Sequence, residues 1–452
     1  MKRRNFIQML AATGMTASLP LTAPKAFAAA PDHFLVIVNA SGGWDPTSLC
    51  DPKGDSQQYA SDQPDARNDG SINSVDISEA GSKLGVTWSG VPVIDGTDAS
   101  PGTATLRVRN QFDAYFDGYA DRLTVINGID NGTNNHSTGN QATWSGNLEM
   151  GYPSLAALFA ASKDPSLPMA YISNGGYDFT ASIVSRARAS SAGFIDQLAD
   201  PNSDDAIYRT EDQSVDIYQQ IKLAQKERLA RQQAEAELPL RRKQLSQLFT
   251  VRQEDNNLAQ LSEEKALIEA IQPTDSHMNN RDQSFKRQAS LVAAAFKSGV
   301  AASANISTGG FDTHSNHDSS QYQSLGDLLE GVVYLQDALE AAGIADKTTV
   351  VIGSDFGRTP YYNSGNGKDH WPITSMMVMH PSGSGKGGKT FGSSTDMFRS
   401  QNLDLNTGEV NSSGQLLTPA HVNLALRKEL GIADNSFAAS FPLDVDDFEI
   451  FS

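Results

Sequence analysis

Thr348-Thr349-Val350-Val351-Ile352 runs through Gly353 into Ser354-Asp355-Phe356-Gly357-Arg358. An uncharged, β-branched run that ends in a polar, glycine-containing turn reads as a strand buried on both faces, as in a parallel sheet. Upstream, Leu325, Leu328, Leu329, Val332, Val333, Leu335 and Leu339 recur at helical spacing over residues 322–339. Gly310-Phe311-Asp312-Thr313-His314 precedes that helix, and Lys368-Asp369-His370-Trp371 follows the strand. Loop, helix, strand and loop in that order make an α/β chain. In open α/β sheets such loops gather outside the carboxyl ends of the strands, where ligands bind. Carboxylate and neutral imidazole meeting there are ordinary ligands for zinc and similar divalent ions.

The same pattern occurs twice nearer the N-terminus. Phe34-Leu35-Val36-Ile37-Val38 is a first central strand, followed by Gly42-Gly43-Trp44-Asp45-Pro46. The glycines allow a sharp turn that presents Asp45 at the sheet edge. Leu123-Thr124-Val125-Ile126 is a further strand, leading through an Asn/Gly-rich loop to His136-Ser137-Thr138 and a helix over 140–146. Ser137 and Thr138 at a helix start are either nucleophiles or N-caps, since hydroxyls favour that position for hydrogen bonding alone. His136 beside them is a candidate ligand or base. Of the eight histidines in the chain, His136, His314, His317 and His370 all fall in these loops. Turn chemistry explains Asp and Gly there, but not the histidines.

Elsewhere the periodicities predict helices over 107–121, 152–161, 289–299 and 418–430, and strands over 169–172, 301–306 and 374–380. Residues 51–103 are polar and read as a surface excursion. Asp55, Asp62, Asp65 and Asp69 lack the spacing of a calcium-binding EF-hand loop. Residues 207–288 are rich in Gln, Glu, Leu, Ala, Lys and Arg, as long helices are, with a break at Pro239. That stretch is a helical insertion between two parts of the α/β core, 29–206 and 289–452, and either a lid or a surface for an unidentified protein partner. His421 reads as a surface or capping histidine, and the tail 441–452 as a segment docked on the surface.

A chain of 452 residues with formal net charge −18 and one cysteine, Cys50, excludes several classes. Nucleic acid is not a partner for so acidic a surface. One cysteine forms no internal disulfide framework and no cysteine-based zinc site. Beyond the N-terminus no apolar run approaches the length of a membrane span.

Residues 1–28 read as an export signal. Lys2-Arg3-Arg4-Asn5-Phe6-Ile7 resembles a twin-arginine motif, a modestly apolar stretch follows, and Ala26-Phe27-Ala28 suits cleavage. The expected location is periplasmic or secreted, with any metal loaded before export of the folded chain.

Taken in order, Gly42-Gly43-Trp44-Asp45, His136 with Trp144-Ser145-Gly146, Gly310-Phe311-Asp312-Thr313-His314, Ser354-Asp355-Phe356-Gly357-Arg358 and Asp369-His370 resemble an exported bacterial family. It is the one called domain of unknown function 1501, within the alkaline phosphatase and sulfatase superfamily. The resemblance implies a central, mostly parallel sheet flanked by helices, and a metal site. It implies Asp45, Asp312, His314 (or His317) and His370 as metal ligands, and Asp355 as ligand to a second ion. A nucleophile is implied among His136, Ser137 and Thr138. Phe356 stands where active phosphatases usually carry a further histidine. The implied chemistry is hydrolysis of a small phosphate or sulfate ester, with zinc foremost and calcium or manganese as alternatives. Arg358 would either grip an anionic oxygen or pair with a neighbouring carboxylate.

Overall fold

The computed structural model describes residues 31–53, 80–92, 94, 103–188, 217–238 and 280–452, with positions 241, 242, 245, 261 and 264. The signal-like residues 1–28, the acidic residues Asp55, Asp62, Asp65 and Asp69, and Pro239 lie outside them. Residues 31–452 form one compact unit.

Its centre is an eight-stranded sheet. In chain order the strands are β1 (Phe34–Ser41), β2 (Leu123–Asp130), β3 (Tyr171–Ser173), β4 (Arg186–Ala187) and β5 (Ser303–Gly309). They continue with β6 (Thr348–Ser354), β7 (Ile373–Met379) and β8 (Lys389–Phe391). The spatial order is β8-β2-β7-β6-β1-β5-β3-β4. β1 lies between β5 and β6, parallel to both, with Leu35 opposite Ser303 on one side and Thr349 on the other. β7 alone runs against its neighbours, β2 and β6. An antiparallel return needs no crossover helix. The connection 355–372 therefore folds back over the strand ends, where Gly357–Arg358 pairs with His370–Trp371.

Side chains alternate across a strand, so the sheet divides two cores. Phe34, Val36, Val38 and Ala40 pack with helices α1 (Thr103–Tyr119), α5 (Asn280–Lys297) and α6 (His317–Ala341). Leu35 and Ile37 pack on the other face with α2 (His136–Ser145), α3 (Leu155–Lys163) and α7 (Pro419–Glu429). Burial on both faces is why these strands read as continuous apolar runs.

Several elements extend past their sequence pattern. β2 continues to Asp130 because Asn127 finds a buried partner in the Cys50 carbonyl (3.2 Å). α6 starts at His317 rather than 322, with His317 fully buried. α5 starts at Asn280, inside the stretch assigned to the insertion, and Phe285 joins the core. Of the insertion, the structure describes one long helix, α4 (Ile217–Glu235). His421 accepts the capping hydrogen bond of the Thr418 backbone N–H. The tail is not a surface addition: Phe448 and Ile450 sit in the core against α7.

Candidate metal centre

Every functional segment leaves the carboxyl end of a parallel strand. β1 leads to Asp45, β2 to His136, β5 to Asp312 and His314, and β6 to Asp355. Gly42 and Gly43 adopt φ of 121° and 79°. A Cβ on Gly42 would lie 2.6 Å from the Asp312 nitrogen, and one on Gly43 2.4 Å from the Phe356 ring. Only glycine permits this backbone with these neighbours.

Three imidazoles converge on Asp312. His314 Nε2 lies 3.0 Å from Asp312 Oδ1 and His370 Nε2 3.2 Å from it, while His136 Nε2 is 3.7 Å from Oδ2. His314 Nε2 and His370 Nε2 are themselves 3.0 Å apart. The opposite nitrogen of each ring meets an oxygen that accepts. His136 Nδ1 meets Asp355 Oδ2 at 2.5 Å, His314 Nδ1 meets Asp369 Oδ1 at 2.9 Å, and His370 Nδ1 meets the Asn134 carbonyl at 2.8 Å. Each Nδ1 must therefore carry the proton, which in a neutral ring leaves Nε2 with a bare lone pair. Two lone pairs 3.0 Å apart, facing a carboxylate, repel unless an electrophile lies among them. Histidines buttressed at one nitrogen and converging at the other are how proteins hold a metal. The donor set fits a divalent ion. Donor atoms of His136, Asp312 and His370 all lie within 4.8 Å of one another.

Asp355's hydrogen bond outweighs burial and raises the His136 pKa. Burial pushes Asp312 up, but the hydrogen bond and charge of Arg358 bring it below its ordinary value. Asp369 is lowered too, His314 and Asn363 overcoming the effect of burial. Asp312 and His314 are exposed, so solutes reach the cluster. A polar cavity of about 460 Å³ opens beside Asp312, lined also by Thr313, Ser315, Ser320, Gln323 and Asp327. Phe356 packs against His136 and His370, with ring centroids 4.8 and 4.5 Å away.

The structure thus brings together Asp312, His314 and His370, and adds His136 to them. Asp355 and Asp45 stand elsewhere. Asp355 is buried behind His136, where its other oxygen accepts from Gly42 N (3.1 Å), Gly43 N (2.5 Å) and Ser354 Oγ (2.8 Å). Asp45 is buried against Lys368 Nζ (2.7 Å) and His317 Nε2 (3.0 Å). Arg358 is fully buried and braces the loops. It donates to the carbonyls of Gly42, Gly43 (2.7 Å) and Lys368 (3.0 Å), and to Asp312 (2.7 Å). Its carboxylate pairing is present, and its guanidinium faces protein rather than solvent. The helix cap is neither Ser137 nor Thr138. Asn135 Oδ1 accepts from their backbone N–H groups at 3.0 and 3.2 Å. The Thr138 hydroxyl pairs with that of Thr133 (2.8 Å), and Ser137 is exposed on the first turn of α2.

The bracing parts of Asp369, Asn134 and Lys368 were not assigned from sequence. Lys368 and Asp369 adjoin His370, and that adjacency was the available signal.

Residues 33–406 match the model of a family described as "Protein of unknown function (DUF1501)". The chain belongs to the DUF1501 family. No curated protein matches it. Among solved structures, Ps i-CgsB in complex with k-i-k-neocarrahexaose is 9% identical, covering 93% of this DUF1501 chain and 75% of its own, with TM-score 0.39. The lipoteichoic acid synthase LtaP from Listeria monocytogenes is 10% identical over 98% of this chain and 81% of its own, with TM-score 0.37. The phosphonate monoester hydrolase of Agrobacterium radiobacter is 12% identical over 88% and 74%, with TM-score 0.31. Similarity at that level says nothing about chemistry.

Proposed function

We propose that this DUF1501 chain is an exported, metal-dependent hydrolase of phosphate or sulfate esters. One observation carries the metal: three imidazole Nε2 lone pairs converging on the Asp312 carboxylate, each ring fixed from behind. Asp312, His136, His314 and His370 would hold the ion. Three imidazole nitrogens and one carboxylate oxygen suit zinc first, with manganese as the alternative. A bound divalent ion would polarise the ester oxygens and neutralise charge developing on them. The chain's own residues supply position and access. Asp355, Asp369 and the Asn134 carbonyl hold the Nδ1 protons and keep the rings aimed. Phe356 walls off one side of two of those rings. Ser137, exposed one residue from His136, is the preferred nucleophile over Thr138, whose hydroxyl Thr133 engages.

Export rests on the twin-arginine-like residues 2–7 and places the protein in the periplasm or outside the cell. Among the described residues no helix is long and apolar enough to cross a membrane.

A second reading keeps the metal and drops turnover, with the insertion as a partner surface. In its favour, α4 leaves Leu223 59% exposed. Metal content of protein purified without chelator, followed by aryl phosphate and aryl sulfate assays on wild type, Ser137→Ala and Thr138→Ala, separates the two. Stoichiometric metal with turnover that Ser137→Ala abolishes supports the hydrolase. Metal without turnover of either ester supports the second reading, and no metal after reloading with zinc, manganese or calcium refutes both.

A further inference from the structure

We infer that the centre is mononuclear, and that the Lys368 ammonium takes the place a second cation would need. This rests on the reading that His136, Asp312, His314 and His370 hold an ion. A second ion at these strand ends would require carboxylate oxygens from Asp45 and Asp355; Asp45 is already filled, and Asp355 is already engaged from both sides.

Asp45 accepts from Thr47 N (3.0 Å) and Thr47 Oγ1 (2.7 Å) on one oxygen. Its other oxygen faces Lys368 Nζ (2.7 Å), His317 Nε2 (3.0 Å) and Ser48 Oγ (3.3 Å). An ionised carboxylate has about four acceptor sites, so none is left for a ligand bond. His317 is the donor in its pair. With the Gln321 amide turned to donate to Thr313 Oγ1 (3.1 Å), the Thr313 hydroxyl donates to His317 Nδ1 (2.7 Å), leaving the proton on Nε2. Asp355 Oδ1 is crowded by Gly42 N, Gly43 N and Ser354 Oγ, and its Oδ2 is held by His136 Nδ1. Asp45, Lys368 and His317 are each at most 1% exposed. The Asp45 charge is thus already cancelled inside the protein. A divalent ion entering there would meet an ammonium held by its carboxylate and lying 5.1 Å over the Tyr362 ring.

The pair also ties the two halves of the centre together. Lys368 precedes Asp369 and His370, its backbone nitrogen donates to the Thr313 carbonyl (3.1 Å), and its carbonyl accepts from Arg358.

The test is metal stoichiometry of the full exported chain by inductively coupled plasma mass spectrometry, after zinc saturation and removal of excess. Wild type, Asp45→Asn and Asp312→Ala are compared. One zinc per wild-type chain, kept by Asp45→Asn and lost by Asp312→Ala, is the expected result. Two zincs per wild-type chain, or loss of bound zinc in a folded Asp45→Asn, would overturn the inference. Wild-type protein with no zinc refutes the metal-centre reading itself, a distinct outcome. The wild-type count decides between one and two ions even if Asp45→Asn fails to fold.

Discussion

Replacing Lys368 by Met removes one charge from a pair that water does not reach. The ammonium lies 2.7 Å from Asp45 Oδ2, and neither side chain is more than 1% exposed. At an effective dielectric near 20, two unit charges at that distance attract by about 6 kcal/mol. Desolvation and the hydrogen bonds that Thr47, Ser48 and His317 still give to Asp45 reduce the net loss. Breaking a buried pair from one side typically costs about 3–5 kcal/mol, and that is the expected destabilisation. Within a total stability of roughly 5–15 kcal/mol it is a large fraction. Urea unfolding at pH 7, followed by far-ultraviolet circular dichroism, measures it. Asp45→Asn should lose a comparable amount, and the double variant should lose less than the sum by about 1–3 kcal/mol. A Lys368→Met protein within about 1 kcal/mol of wild type, or single effects that simply add, would refute the reasoning. The pair also sets an acid limit. Burial alone would raise the Asp45 pKa, but the Lys368 charge and the His317 hydrogen bond hold it well below the carboxylate range. The unfolded chain then binds the proton more readily than the native one. The stabilisation is complete above about pH 4, the unfolded pKa, and is lost as pH falls toward the native value. Asp45→Asn should lack that component of the pH dependence.

Three further outcomes are expected. Asp369→Ala, which removes the acceptor from His314 Nδ1, should weaken metal binding by about 10–100-fold in competition with a chelator; an unchanged affinity would show that His314 needs no buttress. Gly43→Ala places a methyl 2.4 Å from the Phe356 ring at a φ of 79°, so it should cost at least the roughly 1–3 kcal/mol of backbone strain, and a neutral effect in urea would contradict the geometry. Thr138→Ala should keep most ester turnover while Ser137→Ala loses it; the reverse order would move the nucleophile.

The sheet was readable because its central strands are buried on both faces and leave uninterrupted apolar runs. Direction was not readable: β7 is as buried as β6, so its pattern does not report that it runs the other way. Polar residues hid two element ends, Asn127-Gly128 in β2 and the first turn of α6 before Tyr322. In the site, the residue types pointed to metal, but a strand-end Asp looks the same in sequence whether it faces an ion or an ammonium. Asp45 meets a lysine 323 positions away, and Asp355 a histidine 219 away. Such pairings exist only once the sheet has brought its loops to one edge.

The place of β1 also bears on timing. β1, the first of the described strands, is flanked by β5 and β6, so Leu35 finds neither Ser303 nor Thr349 until those later strands are made. At typical synthesis rates that is a wait of roughly 15–60 s. During it, Phe34-Leu35-Val36-Ile37-Val38 is an apolar segment without its sheet neighbours, a ready substrate for holding chaperones. Chains stopped before residue 303 should accumulate bound to chaperones or aggregated, and a transport route that accepts only folded protein would have to wait for the C-terminal half.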